Sequence, residues 1–343
     1  MDTLYFAQFI MYGVFMFSIV AYTVLDGFDL GVGCLHLFSK GDEERRLMIN
    51  SIGPVWDGNS TWIVIGGGVL FAAFPKAFST LAPNLYTPFM LLLFGFMLRA
   101  ASIEFRSKGH EKWWTCLWDG GFFLASFVLA FIVGLFLGNL VQGLPIDSQG
   151  VLVGGIMDLV TPYPLIVALL GIACFMMHGS LYLLMKTEGA FHDKVRRWAH
   201  RSIIFFLITW IFGTTATFLT QPRMTQPFLH HPVVGIFPLL SFIAIFMILK
   251  MVRVKKDGMA FLYSCLSILF LLILFVIGTF PYLTYSTLDP SVNSLTFMNS
   301  SVSELSLWIM VGVTLTGAPL SFFYFPYIYR VFKGKVVLDT HSY

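Results

Sequence analysis

Charge is what this chain has least of. Only 11% of its 343 residues are charged, against about 25% in an ordinary soluble domain. With 57% hydrophobic residues, 37 Phe and a mean hydropathy of +0.81, that scarcity excludes a soluble fold and defines an integral membrane protein. Cysteine is nearly as sparse. Cys34, Cys116, Cys174 and Cys265 form no CxxC, no CxxCH and no Cys/His metal spacing, so they read as small buried hydrophobes. No cleavable leader is expected, because the N-terminus lacks a basic region and the first apolar run continues to Leu37. No segment between apolar runs is long enough for a soluble domain, so any active site lies in the membrane or on a partner.

What is present is a series of long apolar runs. A hydrocarbon core of about 30 Å needs about 20 apolar residues per helix. Nine runs qualify, at 7–36, 53–74, 79–103, 118–141, 162–185, 202–220, 232–250, 259–281 and 305–329. Their unbroken apolarity excludes a membrane β-barrel, whose strands alternate. The expected fold is all-α and polytopic, with residues 1–343 as a single transmembrane domain. All of the 21 Lys and Arg except Lys76, Arg99 and Arg223 fall in loops 37–52, 104–117, 186–201 and 250–258 or in the C-terminal tail. That bias puts the N-terminus outside and the C-terminus in the cytoplasm. The net charge of +3 thus reports topology and gives no reason to invoke nucleic acid. The outer loops 142–161 and 282–304 lack strong secondary-structure signals. Asn299-Ser300-Ser301 matches a glycosylation acceptor, a motif short enough to arise by chance.

The few charges inside the runs carry the chemistry. Asp26 and Asp29, Asp57, and Arg99 each occupy a place where a charge costs about 2.5–3.5 kcal/mol at a helix centre. The topology gathers them at one depth, in the cytoplasmic leaflet on the first four helices, with Trp56, Glu104 and Asp119 at the same level. Asp26 and Asp29 share a helix face. A structural reading pairs Arg99 with one acid and lets the others snorkel or favour helix N-termini. Three acids against one central base leave an excess, however, and an uncompensated buried carboxylate is protonated or hydrated. Protonatable groups linked to cytoplasmic water are what a proton path requires. The glycines beside them, Gly27/Gly31, Gly66-Gly67-Gly68 and Gly134/Gly138, suit close helix packing. No metal site is expected. His178 is the only mid-membrane histidine, His36 lies near an interface, and His110, His192, His200, His230, His231 and His341 fall in loops, at helix edges or in the tail. A packed His178 is the simpler reading than a haem ligand.

Ordered motifs resemble those of subunit II of the cytochrome bd quinol oxidases. They are Asp26-Gly-Phe-Asp-Leu-Gly-Val-Gly33, the stretch from Glu44 to Asn59 that ends in Trp56-Asp57-Gly58-Asn59, Phe71-Ala-Ala-Phe-Pro75, Arg106-Ser-Lys108, Trp118-Asp119, Gly138-Asn-Leu-Val-Gln-Gly143, Phe280-Pro281, Ser294-Leu-Thr296 and the tail Thr340-His-Ser-Tyr343. The match is dense to about residue 145 and sparser beyond. The resemblance implies two four-helix bundles plus a peripheral helix in a bacterial cytoplasmic (inner) membrane. It also implies a heterodimer with a haem-bearing subunit I, with room for small accessory membrane subunits. Haem b, haem d and the quinol site would lie on subunit I, where quinol is oxidised and O2 reduced to water, generating proton motive force. This chain would supply scaffold, a cytoplasmic proton path and apolar access for O2. Asp57 would be the mouth of that path, with Trp56, Asp26, Asp29 and Arg99 along it and Glu104 and Asp119 beside it. Whether the chain holds a quinone of its own is left open. A rival class is a stand-alone proton-coupled transporter, whose site would lie at the midplane between discontinuous helices; a third is a purely structural subunit.

Overall fold

The computed structural model describes residues 2–109 and 111–338; His110, His341 and the tail motif 340–343 lie outside the described residues. The helices are α1 (Thr3–Leu35), α2 (Gly41–Ile52), α3 (Trp56–Ala73), α4 (Pro75–Asn84), α5 (Tyr86–Phe105), α6 (Lys112–Gln142), α7 (Pro162–Lys186), α8 (Gly189–Thr220), α9 (Pro222–His230), α10 (Ile236–Arg253), α11 (Asp257–Thr279), α12 (Pro290–Asn293) and α13 (Glu304–Val331). A hairpin of β1 (Tyr282–Thr284) and β2 (Leu295–Thr296) interrupts them. Among the described residues, eight helices are long and apolar enough to cross a membrane, and the bent pair α3–α4 makes a ninth. Helices suit this composition because each satisfies its backbone hydrogen bonds within its own segment.

Two groups of four form the body. α1, α3, α5 and α6 pack together, α7, α8, α10 and α11 pack together, and α7 joins the groups by lying against α1 and α6. α13 stands outside both, against α1 and α3, and its buried residues are Leu307 and Val311 alone. Glycine makes the central contact. A Cβ on Gly31 would fall 1.8 Å from the Phe175 carbonyl oxygen, and one on Gly179 would fall 2.5 Å from the Gly31 backbone. Gly134 and Gly138 admit the backbone of Ala168 and Pro164 in the same way. Of the Gly66-Gly67-Gly68 run only Gly66 meets a neighbour, Ser18, while Gly67 and Gly68 face open space.

The boundaries differ from expectation where polar and apolar periods mix. Loop 37–52 contains α2, an amphipathic helix that buries Met48, Ile49 and Ile52 and carries Asp42, Glu43 and Glu44 in its first turn, where acids favour the helix dipole. Its twelve residues are too short and too charged to register as a span. The third span was expected from residue 79, but residues 79–84 belong to α4. Pro75 has no N–H to continue the α3 ladder, and the chain turns by 117° there. The outer loops 142–161 and 282–304 fold together rather than staying irregular. Leu144 donates to the Tyr285 carbonyl at 2.9 Å and accepts from Thr287 at 3.0 Å, and the Ser286 hydroxyl donates to Ile146 O at 2.6 Å. The Asn299 side chain is used in this cap: it accepts from Thr296 N at 2.9 Å and donates to Ser294 O at 3.0 Å.

Candidate functional site

Asp26 and Asp29 lie near the C-terminal end of α1, one turn apart and fully buried. Arg99, on α5 and equally buried, grips Asp26 with both terminal nitrogens, Nη1 to Oδ2 at 2.9 Å and Nη2 to Oδ1 at 2.8 Å. Such forked pairs are among the stronger hydrogen-bonded ion pairs. Ser60 of α3 closes the arrangement, accepting from Arg99 Nη2 at 2.5 Å and lying 3.0 Å from Asp26 Oδ1. The Arg99 guanidinium also sits 5.4 Å over the Phe96 ring.

Asp29 is held differently. Asn59, also on α3, donates through Nδ2 to Asp29 Oδ2 at 2.8 Å, and the Tyr329 hydroxyl of α13 donates to Asn59 Oδ1 at 2.9 Å. Among the described residues, Asp29 Oδ1 has no hydrogen-bond partner. Two buried carboxylates therefore share one buried base, and the base is committed to Asp26. Beside Asn59, a void of about 10 Å³ separates α3 from Tyr329 and Phe325; that is close to the smallest space that holds one water.

Other expected members lie elsewhere. Asp57 is exposed, in the first turn of α3, whereas Asn59 and Ser60 point at α1; it does not join the buried pair. Trp56 is half-buried, and its carbonyl accepts from Ser60 at 2.7 Å. Glu104 is half-buried near the end of α5. Asp119 belongs to a second cluster. It is buried and takes Arg106 Nε at 2.5 Å, Arg45 Nη1 at 2.7 Å and His36 Nε2 at 2.7 Å, while Arg106 Nη2 also reaches Asp42 at 2.8 Å. Sequence reading missed Asn59, Ser60 and Tyr329 from the first cluster, and Asp42, Arg45, Arg106 and His36 from the second. Asn59 and Ser60 carry a signal, being polar residues directly after Trp56-Asp57-Gly58 in an apolar run; Tyr329 carries none among so many aromatics.

Among the described residues, two histidines are buried, His36 and His178. His178 Nε2 faces the Val24 carbonyl at 3.0 Å and Nδ1 faces the Ser264 hydroxyl at 2.7 Å, with Phe261 stacked on its ring at 4.8 Å. His36 is fully buried, with Nε2 bonded to Asp119 at 2.7 Å and its ring packed edge-on against Phe122 at 5.1 Å. An apolar cavity of about 550 Å³ opens between α1, α3, α5 and α6, with Phe15, Tyr22, Ile63, Leu92, Phe96 and Phe136 among its walls.

Fold and site together define a multi-pass helical membrane protein that holds an excess of buried acid near one end of its bundle. The model of the cytochrome bd terminal oxidase subunit II family matches residues 7–332. Subunit 2 of the cytochrome bd-I ubiquinol oxidase of Escherichia coli K12 is 28% identical, over 99% of this chain and 98% of that one. The cytochrome bd ubiquinol oxidase subunit 2 of Bacillus subtilis is 30% identical, over 92% and 93%. The bd oxidase structure from Geobacillus thermodenitrificans superposes with a TM-score of 0.79 at 16% identity, covering 95% of this chain and 98% of that one; at that identity it supports the fold. The chain belongs to the cytochrome bd terminal oxidase subunit II family. It is thus a subunit of a quinol:oxygen oxidoreductase of the respiratory chain, a multi-pass protein of the bacterial inner membrane whose complex contains haem and a subunit I. A stand-alone transporter is not favoured.

Proposed function

We propose that this chain, acting as one transmembrane unit in a heterodimer with subunit I, delivers protons from the cytoplasm toward an oxygen-reducing haem on that partner. Haem b, haem d and quinol oxidation are assigned to subunit I, consistent with the engaged histidines here, and no step on this chain passes through a haem. The orientation follows the basic loops, with the C-terminus in the cytoplasm. Asp57, exposed at the charged end of α3, serves as the mouth, and Asp29 is the buried group that holds the proton. The apolar cavity suits passage of a small apolar molecule such as O2.

The observation that carries this reading is the imbalance at Asp26, Arg99 and Asp29. Arg99 satisfies Asp26 with both prongs, so Asp26 is committed to that pair. Asp29 keeps one oxygen unpartnered, and a carboxylate in that state favours taking a proton. In the assembled oxidase, Asp29→Asn and Asp57→Asn should each slow O2 consumption about a hundredfold or more, in the range of a lost proton-transfer group, with haem spectra intact. Wild-type turnover in both variants would remove the proton path from this chain and leave a scaffold.

A further inference from the structure

Tyr329 of α13 connects to the buried acids through Asn59, which its hydroxyl bonds at 2.9 Å. The helix is otherwise loosely attached, yet its end is anchored with care. Just past Tyr329, Lys186 Nζ donates to Phe332 O at 2.6 Å, Lys335 Nζ donates to Leu184 O at 3.0 Å, and Val336 N donates to Lys186 O at 2.8 Å. These bonds tie the chain after α13 to the C-terminal end of α7.

The chemistry of Asn59 explains what the anchored hydroxyl is for. Asp29 Oδ2 accepts hydrogen bonds when the group is ionised and also when its proton sits on the unpartnered Oδ1, so Asn59 turns its NH2 toward Oδ2 and its own Oδ1 points away. That oxygen is buried with Asn59 and needs a donor. The Tyr329 hydroxyl, 2.9 Å away, is that donor. Without it the amide loses the contact that opposes its rotation, and a rotated amide sets its oxygen against Asp29. We infer that Tyr329 is a positioning residue for the proton path: it fixes the Asn59 amide so that Asn59 presents a donor to Asp29, and the α7–tail clamp holds Tyr329 in place. This inference rests on the proton-path reading above.

The test uses the whole oxidase complex with Tyr329→Phe, Asp29→Asn and the double variant, each checked for assembly by its haem spectrum. Tyr329→Phe keeps the ring, including its 6.5 Å edge contact with Phe28, and removes only the hydroxyl. Turnover should fall about two- to tenfold, the range for loss of one hydrogen bond to a buried polar group, and the pH profile of turnover should shift. In the Asp29→Asn background, Tyr329→Phe should add nothing, because its effect passes through Asp29. Wild-type rate and pH profile in Tyr329→Phe, with Asp29→Asn still slow, would overturn the positioning role alone. So would effects that multiply in the double variant. Normal turnover in Asp29→Asn would instead overturn the assignment of Asp29 to the proton path, on which it rests.

Discussion

Asp26 and Asp119 are both buried aspartates held by arginine, but their surroundings differ in charge balance. Around Asp119 stand two guanidiniums and an imidazole against two carboxylates, and the second carboxylate, Asp42, is 64% exposed. Every oxygen of Asp119 has a cationic donor, and the solvated acid can be lost without stranding a charge. Around Asp26 one guanidinium faces two carboxylates, both dry. The first arrangement fixes the ends of α1, α2, α5 and α6 to one another. The second fixes α1 to α5 and leaves Asp29 over. Similar side chains thus give a lock in one place and an unbalanced site in the other.

The largest effect should come from removing the base of the unbalanced cluster. Arg99→Leu strands Asp26 beside Asp29 with no countercharge, and breaking a buried pair this way costs about 3–5 kcal/mol. Heat denaturation of the purified complex should begin at markedly lower temperature, or the variant should fail to assemble. The double variant Asp26→Leu/Arg99→Leu sharpens the point. Replacing both partners by apolar groups is often near neutral, so the double variant should regain most of the lost stability. If it is no better than Arg99→Leu, the pair does more than balance charge. Next in size, Arg106→Leu removes two donors from Asp119 but leaves Arg45 and His36. The expected loss is about 1.5–3 kcal/mol, seen in the same denaturation measurement, with the pH profile of turnover unchanged.

How much of this was legible in the sequence follows from the same contrast. The spans stand out as long apolar runs and the trio Asp26, Asp29 and Arg99 because charge inside such a run is rare, whereas the grouping into two bundles came from the family resemblance alone. The excess of acid over base was also readable, as a count along helices. The partners were not. Asn59 and Ser60 are marked only as polar residues following Trp56-Asp57-Gly58 in an apolar run, which does not say what they bond, and Tyr329 is one aromatic among many. Their roles depend on which helix face meets which neighbour. Asp57 was grouped with the buried acids by level, but α3 starts at Trp56, and on this chain the Asp57 side chain is exposed and apart from them. Asp119 was grouped with them by level alone; its partners are His36 just past α1, Arg45 of α2 and Arg106 in the turn after α5, the last two in segments read only as loops.

The smallest effect is the most direct check on why the second cluster counts as a lock. Asp42 contributes one oxygen to Arg106 at 2.8 Å from a largely exposed position. An exposed ion pair is worth at most about 1 kcal/mol and is screened by salt. Asp42→Asn should therefore lower stability by about that amount or less at low ionic strength and by still less in high salt. Arg106 keeps its bond to Asp119 through Nε, so no buried charge is uncovered. If Asp42→Asn instead destabilised the complex as strongly as Arg106→Leu, independent of salt, then Asp42 would be buried in the assembled oxidase. The second cluster would then lie at the surface that meets subunit I, and its charge balance would have to be counted with the partner included.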